Sequence, residues 1–197
     1  MTLRDGELYA QVAFSAAADQ GFEAGGHGVL KSGSAWMPDN QINGVDFVLP
    51  FRFSEGTWSL GTRGPVTLRI GEVENLVTAR NITADLQGDY PWTEDNPLLL
   101  TNVKVETLGG KITMQQLRMP QHDPALLRVD NISSSELISA VNPKQFAMSG
   151  PVSGALPFWL DNEKWIIKDG WLTNPGPMTL RIDKDTADAI VKDNMVA

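Results

Sequence analysis

The chain has 197 residues, 42% apolar and 20% charged, with 24 Asp and Glu against 16 Lys and Arg for a net charge of −8. That length suits one domain or at most two, and the acidic balance excludes both a phosphate-tracking nucleic-acid binder and a polybasic lipid anchor. Cysteine is absent, which removes disulfides, thiolate catalysis and Cys-ligated zinc. No apolar run reaches the roughly 18 residues of a membrane span, and the start, Met1 to Asp5, lacks an apolar signal core.

Gly and Pro are spread along the chain between short apolar stretches, the pattern of many short strands separated by turns. In chain order, period-two alternation appears first at Leu8/Ala10/Val12/Phe14. The clearest strand is Val45–Phe53. Its Val45, Phe47, Leu49, Phe51 and Phe53 share one face, and Asp46, Pro50 and Arg52 share the other. Pro50 lacks an N–H and is expected on an edge or at a bulge. Alternation returns at Val66/Leu68/Ile70, Ile82/Ala84/Leu86 and Met178/Leu180/Ile182. Asp5-Gly6, Asn43-Gly44, Gly109-Gly110 and Asp169-Gly170 are expected to turn the chain between strands.

Two segments depart from the strand pattern. Ser133-Ser134-Ser135-Glu136 has capping-box spacing, with Leu137, Ile138 and Val141 following at helical intervals until Asn142-Pro143. A second helix is expected from Asp183 to Ala197, where Ile190, Val191 and Met195 share a face. The expected fold is mainly β: one elongated, curved, antiparallel-rich sheet over residues 1–197, forming a gutter or groove with two short helices.

Gly64-Pro65-Val66-Thr67-Leu68-Arg69-Ile70 returns as Gly176-Pro177-Met178-Thr179-Leu180-Arg181-Ile182, six of seven residues identical. Leu-Pro-Phe precedes each copy, at 49–51 and 156–158, and a Trp lies between the landmarks, Trp58 and Trp165. This suggests a β-unit used twice, over about 40–128 and 145–197, joined by the short helix near 134–141. Stacked units bury an apolar strip that neither buries alone.

Catalytic chemistry finds little support. His27 and His122 have no His or Cys partner at ligand spacing. Gly25-Gly26-His27-Gly28-Val29-Leu30-Lys31-Ser32 places Leu30 where a phosphate loop needs Gly. Asp183-Lys184-Asp185 with Asp188 lacks the turn Gly and bidentate Glu of a calcium loop. Glu94 and Asp95 are adjacent, whereas glycoside hydrolysis needs facing carboxyls. No Gly-x-Ser-x-Gly occurs. No catalytic residue, metal site or cofactor is expected.

What stands out is the surplus of large apolar side chains on strand faces. Either they fill a closed β core, or they line an open groove that takes acyl chains. On the groove reading, strand alternation assigns the lining to Phe47, Leu49, Phe51, Phe53, Trp58, Leu68, Ile70, Ile112, Met114, Leu156, Phe158, Leu160, Trp165 and Leu180. The alternative is a closed β-rich binding or scaffold domain with a protein or carbohydrate partner.

The runs Val129-Asp130-Asn131-Ile132-Ser133-Ser134-Ser135-Glu136-Leu137-Ile138, Asn142-Pro143-Lys144 and Met148-Ser149-Gly150-Pro151-Val152-Ser153-Gly154-Ala155-Leu156-Pro157 resemble the YdbH family of bacterial envelope proteins. So do Leu108-Gly109-Gly110-Lys111-Ile112 and Trp165-Ile166-Ile167-Lys168-Asp169-Gly170-Trp171-Leu172. The resemblance is strongest from about Ala84 onward and is to the C-terminal part of a longer chain, among the AsmA-like and TamB-like proteins. It implies an inner-membrane anchor outside this fragment and a long periplasmic gutter carrying phospholipid between inner and outer membranes. It also implies a small outer-membrane lipoprotein at the far end as partner. An older family label, dicarboxylate transport, finds no convergent Arg/Lys site in the sequence.

Overall fold

A computed structural model describes residues 2–18, 21–37, 40–141, 146–161, 164–174, 176 and 179–182. The first nine elements are strands: β1 (Thr2–Ala17), β2 (Gly21–Met37), β3 (Asn40–Ser54), β4 (Thr57–Leu60), β5 (Val66–Glu74), β6 (Thr78–Tyr90), β7 (Leu98–Thr107), β8 (Gly110–Met119) and β9 (Ala125–Ser133). After them come α1 (Ser134–Val141), β10 (Phe146–Ser149), β11 (Pro151–Asp161), β12 (Lys164–Ile167), β13 (Trp171–Thr173) and β14 (Thr179–Ile182). One 12-stranded sheet runs in the order β1-β2-β3-β4-β6-β7-β8-β9-β11-β12, with β5 paired to β3 and β6, and β13 paired to β11. Its neighbours are antiparallel throughout, most of them joined by hairpins. β10 and β14 form a separate antiparallel pair.

β3 is long enough to hold two partners on one side. Its Gln41–Phe47 half pairs with β5 and its Phe51–Ser54 half with β4. Pro50 therefore lies inside the sheet, not on its edge. It sits where the ladder on that side is interrupted, so its missing N–H is tolerated, and its carbonyl accepts the Gly61 N–H at 2.9 Å.

Asp5-Gly6 and Asn43-Gly44 are not turns. Both lie inside long strands, with Gly6 at φ 129° and Gly44 at φ 68°. Ser32, Asn81, Asn102 and Asn131 also adopt positive φ within their strands, and register shifts occur at these levels between β1 and β2, β2 and β3, β6 and β7, and β9 and β11. These are bulges, whose extra residue bends a strand and raises its twist. Glycine is required where backbones nearly touch: a Cβ on Gly6 would stand 2.8 Å from the Gly33 Cα. Gly109-Gly110 and Asp169-Gly170 do lie at the β7–β8 and β12–β13 turns.

The bulges also reverse which side chains share a face. Leu100 and Val103, three residues apart, both pack on one core cluster of Met114, Leu117, Ala125 and Phe158. Strict alternation would have put Leu100 and Val103 on opposite faces, and Asn102 at φ 52° between them accounts for the change.

Among the described residues there is one helix, not two. The second, expected at 183–197, lies outside the described residues. For α1, the Ser133 Oγ accepts the Glu136 N–H at 3.3 Å, the N-cap bond the spacing predicts. Ser134, 1% exposed, ties the helix start to the β10–β11 turn by donating from its Oγ to the Gly150 carbonyl at 2.7 Å. The two Gly-Pro-x-Thr-Leu-Arg-Ile segments both contribute strands but take different partners. β5 joins β3 and β6, whereas β14 joins β10 rather than the Leu-Pro-Phe strand β11.

Candidate functional site: an apolar face across the sheet

Directly opposed residues in an antiparallel ladder share a face, so register lets the face be followed from strand to strand. One row runs Leu8–Leu30–Phe47–Leu68–Ala84 across β1, β2, β3, β5 and β6. Nearer the hairpin tips a second row runs Val12–Gly26–Phe51–Leu60–Gly88–Leu98–Met119. Leu86–Leu100–Leu117 and Val103–Met114–Leu127–Leu156 carry the same face onward to β11. Phe158 stands opposite Ala125 on one side and Ile167 on the other. An unbroken set of apolar pairs thus crosses the sheet from β1 to β12.

A third row, closest to the tips, is aromatic: Phe14–Ala24–Phe53–Trp58–Tyr90. Phe53 and Trp58 have ring centroids 4.8 Å apart, Phe51 and Trp58 5.7 Å, and Phe22 and Phe53 6.1 Å. Tyr90 meets Trp92 edge-on at 5.6 Å.

The opposite face is mostly polar, interrupted by the row Tyr9–Val29–Val48 and the pair Trp159–Ile166. The Ser32 N–H donates to Asp46 at 2.8 Å, and Thr67 and Asn102 both donate to Asp85 at 3.0 Å. Arg52 pairs with Glu23 at 3.4 Å and Arg80 with Glu72 at 2.8 Å. The hydrogen bond from Arg80 holds the Glu72 carboxyl below the usual carboxylate range and raises the Arg80 guanidinium in turn. A hollow of about 690 Å³ on this side brings Arg52 and Arg63 near Glu23 and His27, but Arg52 is already engaged by Glu23. At the tips, His122 and Glu94 meet at 2.7 Å, and Arg118 donates to the Glu94 carbonyl at 2.9 Å, linking the β6–β7 and β8–β9 loops. The His122 hydrogen bond, aided by the nearby charges of His122 and Arg118, keeps the Glu94 carboxyl low.

The structure places the expected lining residues unequally. Phe47, Leu49, Phe51, Phe53, Leu68 and Ile70 are half-buried, and Trp58 is 44% exposed. Ile112, Leu156 and Leu160 are half-buried as well. Met114 and Phe158, 5% and 1% exposed, are packed within the core cluster. Trp165 stands opposite Leu160 in the backbone register, and Leu180 lies in the separate β10–β14 pair; the side chains of both lie outside the described residues. Sequence reasoning missed Leu100, Val103, Leu117 and Leu127, which extend the face through β7–β9. The available signal was an apolar pair, a three-residue step containing Asn102, and a second apolar pair. Burial declines toward β1, where Leu8 is 71% and Phe14 75% exposed.

The family described as YdbH-like, intermembrane phospholipid transport protein YdbH, matches residues 1–197. The chain belongs to the YdbH-like family. It is 81% identical over all 197 residues to the probable phospholipid transport protein YdbH of Escherichia coli (strain K12), and it spans 22% of that protein's length. No solved structure matches the chain. For a YdbH-like chain, the apolar sheet face rather than the hollow beside Arg52 and His27 is the feature to explain.

Proposed function

We propose that this chain is a segment of a bridge-like phospholipid carrier whose apolar sheet face passes acyl chains between the two membranes of the bacterial envelope. The observation that carries the reading is the continuity of apolar pairs from β1 to β12, half-exposed over β3–β6. Acyl chains laid on such a surface leave water at roughly 25 cal/mol per Å², and a non-directional contact lets them slide. Bulges repeated from strand to strand supply the bending that would roll the sheet into a gutter. The polar outer face keeps the assembly soluble.

Phe47, Leu49, Phe51, Phe53, Trp58, Leu68 and Ile70 form the accessible lining in this reading, while Phe158 and Met114, on the same face, are packed into the core at its β8–β11 end. The segment would lie in the periplasm, within a longer chain anchored in the inner membrane, with a small outer-membrane lipoprotein at its far end. Photocrosslinking from position 49 of the full-length protein tests the proposal. Phospholipid adducts are expected there and not at Arg69, whose partner Asp46 lies on the polar face. Equal labelling of the two positions, or none at 49, refutes it.

A further inference from the structure

We infer that the Phe14–Phe53–Trp58–Tyr90 row marks the headgroup edge of the lipid track, so that phospholipids lie along the strands with their glycerol backbones at the tips and their acyl ends toward Leu68. This rests on the carrier reading above and adds an orientation to it.

The face is chemically graded along the strands. At the tips the row crossing β1, β2, β3, β4 and β6 is aromatic, with Phe14, Trp58 and Tyr90 exposed by 75%, 44% and 52%. Six residues further along β3, the corresponding row is Leu8–Leu30–Phe47–Leu68–Ala84, aliphatic but for Phe47. Trp and Tyr have an apolar ring and a polar N–H or O–H, and they collect where hydrocarbon gives way to headgroup. Beyond the row, the loop carrying Glu94 and Asp95 and the loop carrying His122 and Asp123 are exposed and polar, suited to a solvated headgroup region. Leu68 and Leu8 offer only hydrocarbon at the other level.

The face is deep enough for the occupant, and beyond the Leu68 row it continues through Val45, Ile70 and Ile82. Phe53 to Phe47 is six residues, about 20 Å at roughly 3.3 Å per residue. One leaflet's acyl layer is about 15 Å, half of the roughly 30 Å hydrocarbon core. The stretch between the aromatic row and the Leu68 row therefore accommodates the chains of one phospholipid laid along the strands. Gly28 on β2, opposite Leu49, has open space where a side chain would stand, which leaves room beside Leu49.

The test places a benzoylphenylalanine at position 58 or at position 68 of the full-length protein, irradiates it in cells, and locates each phospholipid adduct by fragment mass spectrometry. Adducts at 58 are expected on the glycerol or the first few acyl carbons, and those at 68 on the half of the chain nearer the terminal methyl. Identical distributions, or the reverse order, overturn the orientation. Adducts at 68 with none at 58 also overturn it, while leaving the carrier reading intact. No lipid adduct at either position removes the carrier reading and this inference with it.

Discussion

Replacing Phe158 by Ala separates packing from lipid contact. Phe158 is 1% exposed and packs with Met114, Leu117 and Ala125, three strands' worth of core. Deleting a buried Phe ring costs about 3–5 kcal/mol from lost transfer energy and the cavity left behind. At about 1.4 kcal/mol per factor of ten, amide protection in β8, β9 and β11 should fall by about 140- to 4000-fold. Native-state hydrogen exchange on the full-length protein reads this directly, and β1 and β2 should keep their protection because opening is local. Leu68→Asp is the contrasting perturbation. Leu68 is half-buried between Phe47 and Ala84, so water reaches the new carboxylate and the loss is about 1–2 kcal/mol of burial, up to about thirtyfold in protection. It should abolish lipid crosslinking from position 49 nonetheless. If Leu68→Asp destroys protection across β3–β6 as fully as Phe158→Ala does in β8–β11, that part of the face is a closed core and the groove reading is wrong.

Two further outcomes follow from particular contacts. A Cβ on Gly26 would run into the Gln11 carbonyl, so Gly26→Val should part β1 from β2 and bring β1 amides to near-unprotected exchange; unchanged β1 protection would contradict the pairing. Because the folded Glu94 carboxyl is held low chiefly by the His122 hydrogen bond, its small contribution to stability is complete above the ordinary carboxylate range and fades as pH falls through the folded value. His122→Ala should move the Glu94 NMR titration up toward the ordinary range, and a midpoint that stays put would show that His122 is not the cause.

Local pattern was enough to identify β3 and its two faces. The period-two alternation of Val45–Phe53 survives in the structure because neighbours on both sides continue the same apolar rows, Leu30 on β2 and Leu68 on β5. The Ser133 cap was equally legible, since an N-cap bond spans only three residues and needs no distant partner. Tertiary structure alone decided what Asp5-Gly6 and Asn43-Gly44 do. Both dipeptides admit positive φ, which a hairpin turn and a bulge use equally, and the choice depends on whether a neighbouring strand keeps pairing past that point. It also decided burial: Phe14 and Phe158 have the same chemistry and lie on the same face, yet one is 75% and the other 1% exposed. Burial follows from how many strands close around a residue, and that count comes from pairings such as β9 with β11, which meet across a helix and leave no trace in the period of either strand.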